Sequence, residues 1–109
     1  MRVYISGPMR GINNDNEAAF REAAHKLRAR GHDPINPALN PTGLTLSEYM
    51  RIDLTFIEAC DAILLLPGWQ FSMGAKVELA YATYIGKHVF LSIETAAVEE
   101  PHNLLVANI

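Results

Sequence analysis

The 109-residue sequence predicts a small doubly wound α/β fold, a parallel sheet of four or five strands flanked by helices. Three observations lead there. Short β-rich runs alternate with helical segments, the pattern of βαβ units joined by right-handed crossovers. The run Ala62-Ile-Leu-Leu-Leu66 is continuously apolar, as a strand covered on both faces must be. The two most glycine-rich loops, Ser6-Gly-Pro-Met-Arg-Gly11 and Pro67-Gly-Trp-Gln-Phe-Ser-Met-Gly74, each follow a predicted strand, where an open parallel sheet collects its ligands.

Each element has a local reason. Residues 2–6, RVYIS, form a β-rich run stopped by Gly7-Pro8. From about Asp15 to Arg30, Ala19, Phe20, Ala23, Ala24 and Leu27 recur at helical spacing, and Gly31 supplies a stop. Residues 33–36, DPIN, are a short strand candidate, followed by a loop over 37–45 that carries Pro37, Pro41 and Gly43. Thr45-Leu-Ser-Glu48 satisfies the capping-box pattern and begins a helix to about Cys60. The buried strand 62–66 follows, then a helix over 74–85 ended by Gly86, a further strand over 88–93, and a short helix over 101–109 that begins at Pro101. A strand order of 2-1-3-4 puts the switch point between the first and third strands.

Composition limits the function. Half of the residues are hydrophobic, which suits one domain over 1–109. A net charge of −3 leaves no basic footprint for a nucleic acid polymer or an anionic membrane. No run nears the ~20 apolar residues of a membrane span, and residues 1–5 are no signal peptide. Cys60 is the sole cysteine, which excludes disulfide frameworks and fits a reducing cytoplasm. It reads as a small buried hydrophobe. The four histidines, His25, His32, His88 and His102, lack ligand spacing, so neither a metal nor another cofactor is expected.

Two acids stand where apolar residues belong. Glu78 shares a helix face with Ala75, Ala82 and Ile85, and Lys76, two residues away, points elsewhere. Asp53 lies in the stripe of Met50, Leu54, Ile57 and Cys60. Ionised carboxylates are costly on such faces unless a partner or a reaction requires them. A pair flanking one buried strand can serve glycosidic chemistry, one residue attacking the anomeric carbon and the other moving protons. Around them, Ser6, Gly7, Arg10 and Gly11 offer backbone amides and a guanidinium to an anion, and Ser72 with Gly74 opens a helix whose N–H groups favour negative charge. Arg10 also reads as a surface arginine on a turn, Ser72 as a plain N-cap, and Trp69 and Phe71 as cover for the sheet edge. Tyr81 and Tyr84 read as packing or interface residues.

The ordered segments VYISGPMRG, NPA, RIDLTFIEACDAILLLPGW and SMGAKVELAYATYIGK resemble the nucleoside 2-deoxyribosyltransferase superfamily over residues 3 to about 92. Within it the chain is most similar to small, often phage- or prophage-associated members of undefined function. Gly74-x-x-x-Glu78-Leu-x-x-Ala is the most specific element. The resemblance implies a Rossmann-like (flavodoxin-like) sheet. It further implies cleavage or transfer at the N-glycosidic bond of 2′-deoxynucleosides or their 5′-monophosphates through a covalent glutamyl-deoxyribosyl intermediate.

By position, the resemblance implies Glu78 as the nucleophile at C1′, Asp53 as the acid that assists the departing base, and Tyr4 as a hydrogen-bond partner near the nucleophile. Arg10 and Ser72 match phosphate-contacting positions of the branch that hydrolyses deoxynucleoside monophosphates. Ser72 stands where the nucleoside-transferring branch carries an aspartate, which implies a 5′-monophosphate substrate; Pro8 stands where the hydrolase branch has serine. The base is expected near Trp69 and Phe71, with the 37–45 loop as a lid or base-contacting segment. Relatives borrow a residue from a neighbouring subunit's C-terminal segment, for which Asn103 or Asn108 is the candidate here. A homodimer or larger even homo-oligomer is therefore expected. Two other readings are a non-catalytic nucleotide-sensing module and a ribonucleotide phosphoribohydrolase.

Overall fold

The crossovers dictated by the sequence arrange its apolar runs around one parallel sheet. The computed structural model describes residues 1–96. Strand β1 (Arg2–Ser6) leads through a turn to helix α1 (Glu17–Ala29) and strand β2 (Asp33–Ile35). Helix α2 (Leu46–Ala59), strand β3 (Ala62–Leu65), helix α3 (Met73–Tyr84), strand β4 (His88–Phe90) and the short helix α4 (Ile93–Ala96) follow. The order is β2-β1-β3-β4, with every pairing parallel. This is the predicted 2-1-3-4 arrangement, and its switch point lies between β1 and β3.

Side chains alternate across the sheet, so each strand feeds two cores. Val3, Ile5, Ala62 and Leu64 pack with Phe20, Ala23, Ala24 and Leu27 of α1 on one face. Tyr4, Ile63, Leu65 and Val89 pack with Ile57, Cys60, Leu79 and Ala82 beneath α2 and α3 on the other. Ser6, two residues after Tyr4, shares Tyr4's face.

The start of α2 is fixed by the predicted capping box. Thr45 Oγ1 accepts from the Glu48 amide at 3.2 Å, and the Thr45 amide donates to Glu48 Oε1 at 2.8 Å. With that start fixed, the helical phase sets which face Asp53 occupies.

Three predicted boundaries are corrected. Helix α1 begins at Glu17 rather than about Asp15, because Asn14, Asp15 and Asn16 hold left-handed φ of 52°, 52° and 62°. Asn and Asp tolerate that conformation better than other non-glycine residues. Strand β2 ends at Ile35, where the Asn36 side chain accepts from the Ala38 amide at 2.9 Å and turns the chain. The run 88–93 is strand only to Phe90, with Ile93 already in α4. Its neighbour β3 ends at Leu65 and soon meets Pro67, which has no N–H to extend a ladder. The predicted helix over 101–109 lies outside the described residues, as do Asn103 and Asn108. Among the described residues, no helix is long and apolar enough to cross a membrane.

Where β1 meets the first glycine-rich loop, the backbone passes against β3. The Leu66 amide donates to the Ser6 carbonyl at 2.8 Å, and a Cβ on Gly7 would lie 2.8 Å from Leu66 Cβ. A methyl group there forces the two strand ends apart. Gly7→Ala is expected to lower the unfolding free energy by about 1–3 kcal/mol in urea titrations followed by circular dichroism; unchanged stability would show that the contact is not limiting.

Candidate active site

The two acids singled out by their apolar surroundings meet above the carboxyl end of β1. Glu78 faces the sheet from the second turn of α3 and is only 7% exposed. Tyr4 Oη donates to its Oε2 at 3.0 Å, and Ser6 Oγ donates to its Oε1 at 2.6 Å. Both donors are buried strand residues, so they reach Glu78 from a rigid support. Asp53 comes from α2, half-buried, and its carboxyl group lies near enough to Glu78 and Tyr4 for each to influence its protonation. Asn40 Nδ2 donates to Asp53 Oδ1 at 2.9 Å, tying the 37–45 loop to the pair.

Burial is the main cause that pushes Glu78 from an ordinary 4.5 up to about 8, and the neighbouring Asp53 charge adds to it against the two hydroxyl donors. Asp53 is also raised, chiefly by burial, although its interactions with Glu78, Asn40 and Tyr4 oppose the rise. Two carboxyl groups in contact cannot both ionise cheaply, so the pair keeps one shared proton toward neutral pH. With hydroxyls donating to both oxygens of Glu78, that proton is directed at Asp53. Tyr4 stays a neutral donor, since burial and then the two acids push its pKa well above 10.

The surrounding loops fall into place around this pair. Gly68 lies against Pro8, where a Cβ would meet Pro8 Cγ at 3.3 Å, so the two glycine-rich loops abut. Ser72 caps α3, accepting from the Ala75 amide at 3.2 Å. Arg10 and Gly11 are exposed on the first loop, and Trp69 is half-buried against the core beneath α2 and α3. Phe71 is 92% exposed and covers no sheet edge. Ile85, expected on the Glu78 face, lies past the end of α3 and is exposed. Cys60 is buried, and burial pushes its thiol up to about 11, as befits an inert packing residue. Among the described residues no group of three or more His, Cys, Asp or Glu side chains could hold a metal ion. A cleft of about 360 Å³, lined by Ala23, Lys26, Leu64 and Ile93 among others, lies on the α1 face of the sheet and includes none of the predicted site residues.

Sequence reasoning missed Asn40. Its signal is faint: an amide side chain flanked by Leu39 and Pro41 in the loop after β2, at the carboxyl edge of the sheet. Ser6 was expected among the groups gripping a ligand, but its hydroxyl is committed to Glu78.

A family model described as a domain of unknown function, DUF4406, matches residues 1–91. The chain belongs to this family. Thus every element from β1 to β4, and each residue of the carboxyl cluster, falls within the DUF4406 span. A search of curated proteins gave no match. Among solved structures, the DUF4406 chain is similar to a 2-desoxiribosyltransferase from Leishmania mexicana, at 24% identity over 81% of this chain with a TM-score of 0.65. It spans 61% of that protein's length. A 2-deoxyribosyltransferase from Bacillus psychrosaccharolyticus matches at 20% identity over 82% of this chain and 69% of its own, TM-score 0.65. A CMP N-glycosidase from Clostridium botulinum matches at 20% identity over 82% of this chain and 66% of its own, TM-score 0.58. The DUF4406 chain therefore has the fold of the 2-deoxyribosyltransferases.

The raised pKa of Glu78 links stability to pH. The folded state holds a proton that the unfolded state releases above about 4.5, so Glu78's favourable contribution is complete below that value and is lost as pH rises to about 8. The unfolding free energy of the DUF4406 chain is expected to fall across this window, and Glu78→Gln is expected to flatten the decline; equal slopes in both proteins would refute the shared-proton arrangement.

Proposed function

We propose that this chain cleaves, or transfers a sugar across, the N-glycosidic bond of 2′-deoxynucleosides or their 5′-monophosphates, with Glu78 forming an ester to C1′. The observation that carries the reading is the buried Glu78–Asp53 pair, held by Tyr4 and Ser6 beside the switch point of the sheet. Three proteins of the same fold are described as deoxyribosyltransferases or an N-glycosidase, which supports it. Each carboxyl group shifts the other's protonation, as close neighbours do, whereas a single inverting displacement needs groups ~6.5–9.5 Å apart with a water between them. Double displacement suits them better.

The pair's single proton is conserved through the cycle. In the reactive arrangement the proton rests on Asp53 and Glu78 is ionised. A Glu78 oxygen lone pair forms the bond to C1′ as the C1′–N bond breaks, and the bonding pair departs with the base nitrogen, which takes the Asp53 proton. Asp53 then removes a proton from water or from an incoming base as that nucleophile attacks C1′. The ester bond breaks and its electron pair returns to Glu78. Tyr4 and Ser6 stabilise the carboxylate whenever it is free of sugar. The positive charge that develops at C1′ forms more readily without an electron-withdrawing 2′-hydroxyl, so deoxy substrates are favoured.

Gly74 supports a phosphate at the 5′ end. Its backbone needs no glycine, and a Cβ there would meet only Met50 Cε, at 3.9 Å. A glycine within a helix costs up to about 1 kcal/mol relative to alanine, so close approach of a ligand to the first turn of α3 gives it a purpose. Arg10, exposed on the facing loop, supplies the countercharge.

Incubation with a panel of nucleosides and nucleotides, followed by chromatography for free base, tests the reading. Base is expected from 2′-deoxynucleoside 5′-monophosphates, with kcat/KM declining above about pH 8 as the pair loses its last proton. Glu78→Gln is expected to lower kcat at least roughly a thousandfold, and Asp53→Asn by about 10²–10⁴. No base from any substrate would favour a sensor, and base from ribonucleotides alone a phosphoribohydrolase. Gly74→Ala is expected to leave stability equal or higher while raising KM for the monophosphate; an unchanged KM would remove the phosphate from this position.

A further inference from the structure

The loop between β2 and α2 is pinned twice by one face of α2. Tyr49 and Asp53 stand one helical turn apart, so they share that face. Tyr49 Oη donates to the Pro41 carbonyl at 2.7 Å and accepts from the Leu44 amide at 3.3 Å, which fastens the middle of the loop. Asp53 takes the second attachment, from Asn40 Nδ2 at 2.9 Å. The backbone of Asn40 has little freedom of its own. Its amide donates to the carbonyl of the buried Pro37 at 3.0 Å, and the following Pro41 favours the extended conformation that Asn40 adopts, φ −63° and ψ 156°. The 37–45 segment is therefore a bracket tied to α2, and it holds a primary amide against one oxygen of Asp53.

We infer that Asn40 is a positioning residue for departure of the base: it occupies Asp53 Oδ1, leaves the proton to Oδ2, and stabilises the carboxylate that forms as that proton is given up. The role rests on the glycosidic reading proposed above. An oxygen that already accepts an N–H is the less basic of the two, so the proton settles on the other. As the C1′–N bond breaks, the Oδ2–H proton passes to the base nitrogen and its electron pair stays on Asp53. The charge so formed is shared with Oδ1, where the bond from Asn40 strengthens. An N–H donor favours the ionised acid, so it opposes the burial that chiefly raises Asp53. Without it Asp53 would hold its proton too firmly for the departing nitrogen. In the second half of the cycle the same donor makes Asp53 a weaker base toward water or an incoming base, and burial supplies the basicity needed there. Burial and Asn40 thus pull opposite ways on one carboxyl group, which suits a residue that gives a proton in one step and takes one in the next.

Carboxyl ¹³C titration of the full chain and kinetics of base release test the assignment together. Asn40→Leu keeps the volume and removes the donor. Asp53 is expected to titrate at higher pH in this variant, and the alkaline decline of kcat/KM to move up with it. The value of kcat is expected to fall about ten- to a hundredfold, the worth of a hydrogen bond to a charged group. The loss is expected to be larger for bases that leave as strongly basic anions and smaller for bases carrying electron-withdrawing substituents. Mere loosening of the loop would move the titration the other way, since water reaching Asp53 relieves its burial. Asn40→Asp, isosteric and without the N–H, repeats the test should Asn40→Leu fold poorly. An Asp53 titration unmoved or lowered in the folded variant, or an equal loss for every departing base, would overturn the assignment. Release of no base by the unaltered chain would instead remove the glycosidic reading, and the base-departure step with it.

Discussion

The structure turns on the cost of enclosing the Glu78 carboxyl group beside Asp53. Glu78 is enclosed by the sheet, α2 and α3, where a bare carboxylate is expensive, and each of its oxygens accepts from a hydroxyl carried by β1. Those hydroxyls come from alternate residues of one strand, so the pleat alone delivers both to the same point. Asp53 completes the arrangement from a second helix, itself oriented by Asn40. Strand alternation, the α2 cap and the α3 phase must all agree for the four groups to meet. Apolar residues in these places would cost the fold less; the proposed chemistry gives the pair a reason that packing does not.

Much of this was legible in the sequence because it follows from periodicity. The continuous apolar run at 62–66 marked a doubly covered strand, Thr45 and Glu48 marked the start of α2, and the spacing of Ala75, Glu78 and Ala82 marked a carboxylate on a buried face. These signals are local, and local physics decides them. The parallel order then followed from the crossovers. Tyr4 is marked by family resemblance, whereas the misfits of Glu78 and Asp53 stand out by periodicity.

What escaped the sequence depends on contacts between distant segments. Asn40 bonds to Asp53 across thirteen residues of chain, and nothing in Leu39-Asn40-Pro41 declares that destination. The left-handed run Asn14–Asn16 delays α1 although Asp15 looks like a helix opener, because three consecutive residues tolerant of positive φ can turn the chain in place of a cap. Strand β4 stops at Phe90 although Leu91 to Ile93 still read as β-type, since the ladder depends on the length of its neighbour. Helix α3 carries Glu78 to the sheet on its inner face and leaves Met73, Val77 and Tyr84 exposed on its outer face.

The most direct measurement is carboxyl ¹³C NMR of protein labelled at the Asp and Glu side chains, followed through pH. Of the 12 acidic residues, one is expected to titrate near 8 and to vanish from the spectrum of Glu78→Gln, with a coupled shift at Asp53. If every carboxyl group titrates below about 5, as solvated acids do, Glu78 is ionised at neutral pH and the shared proton does not exist.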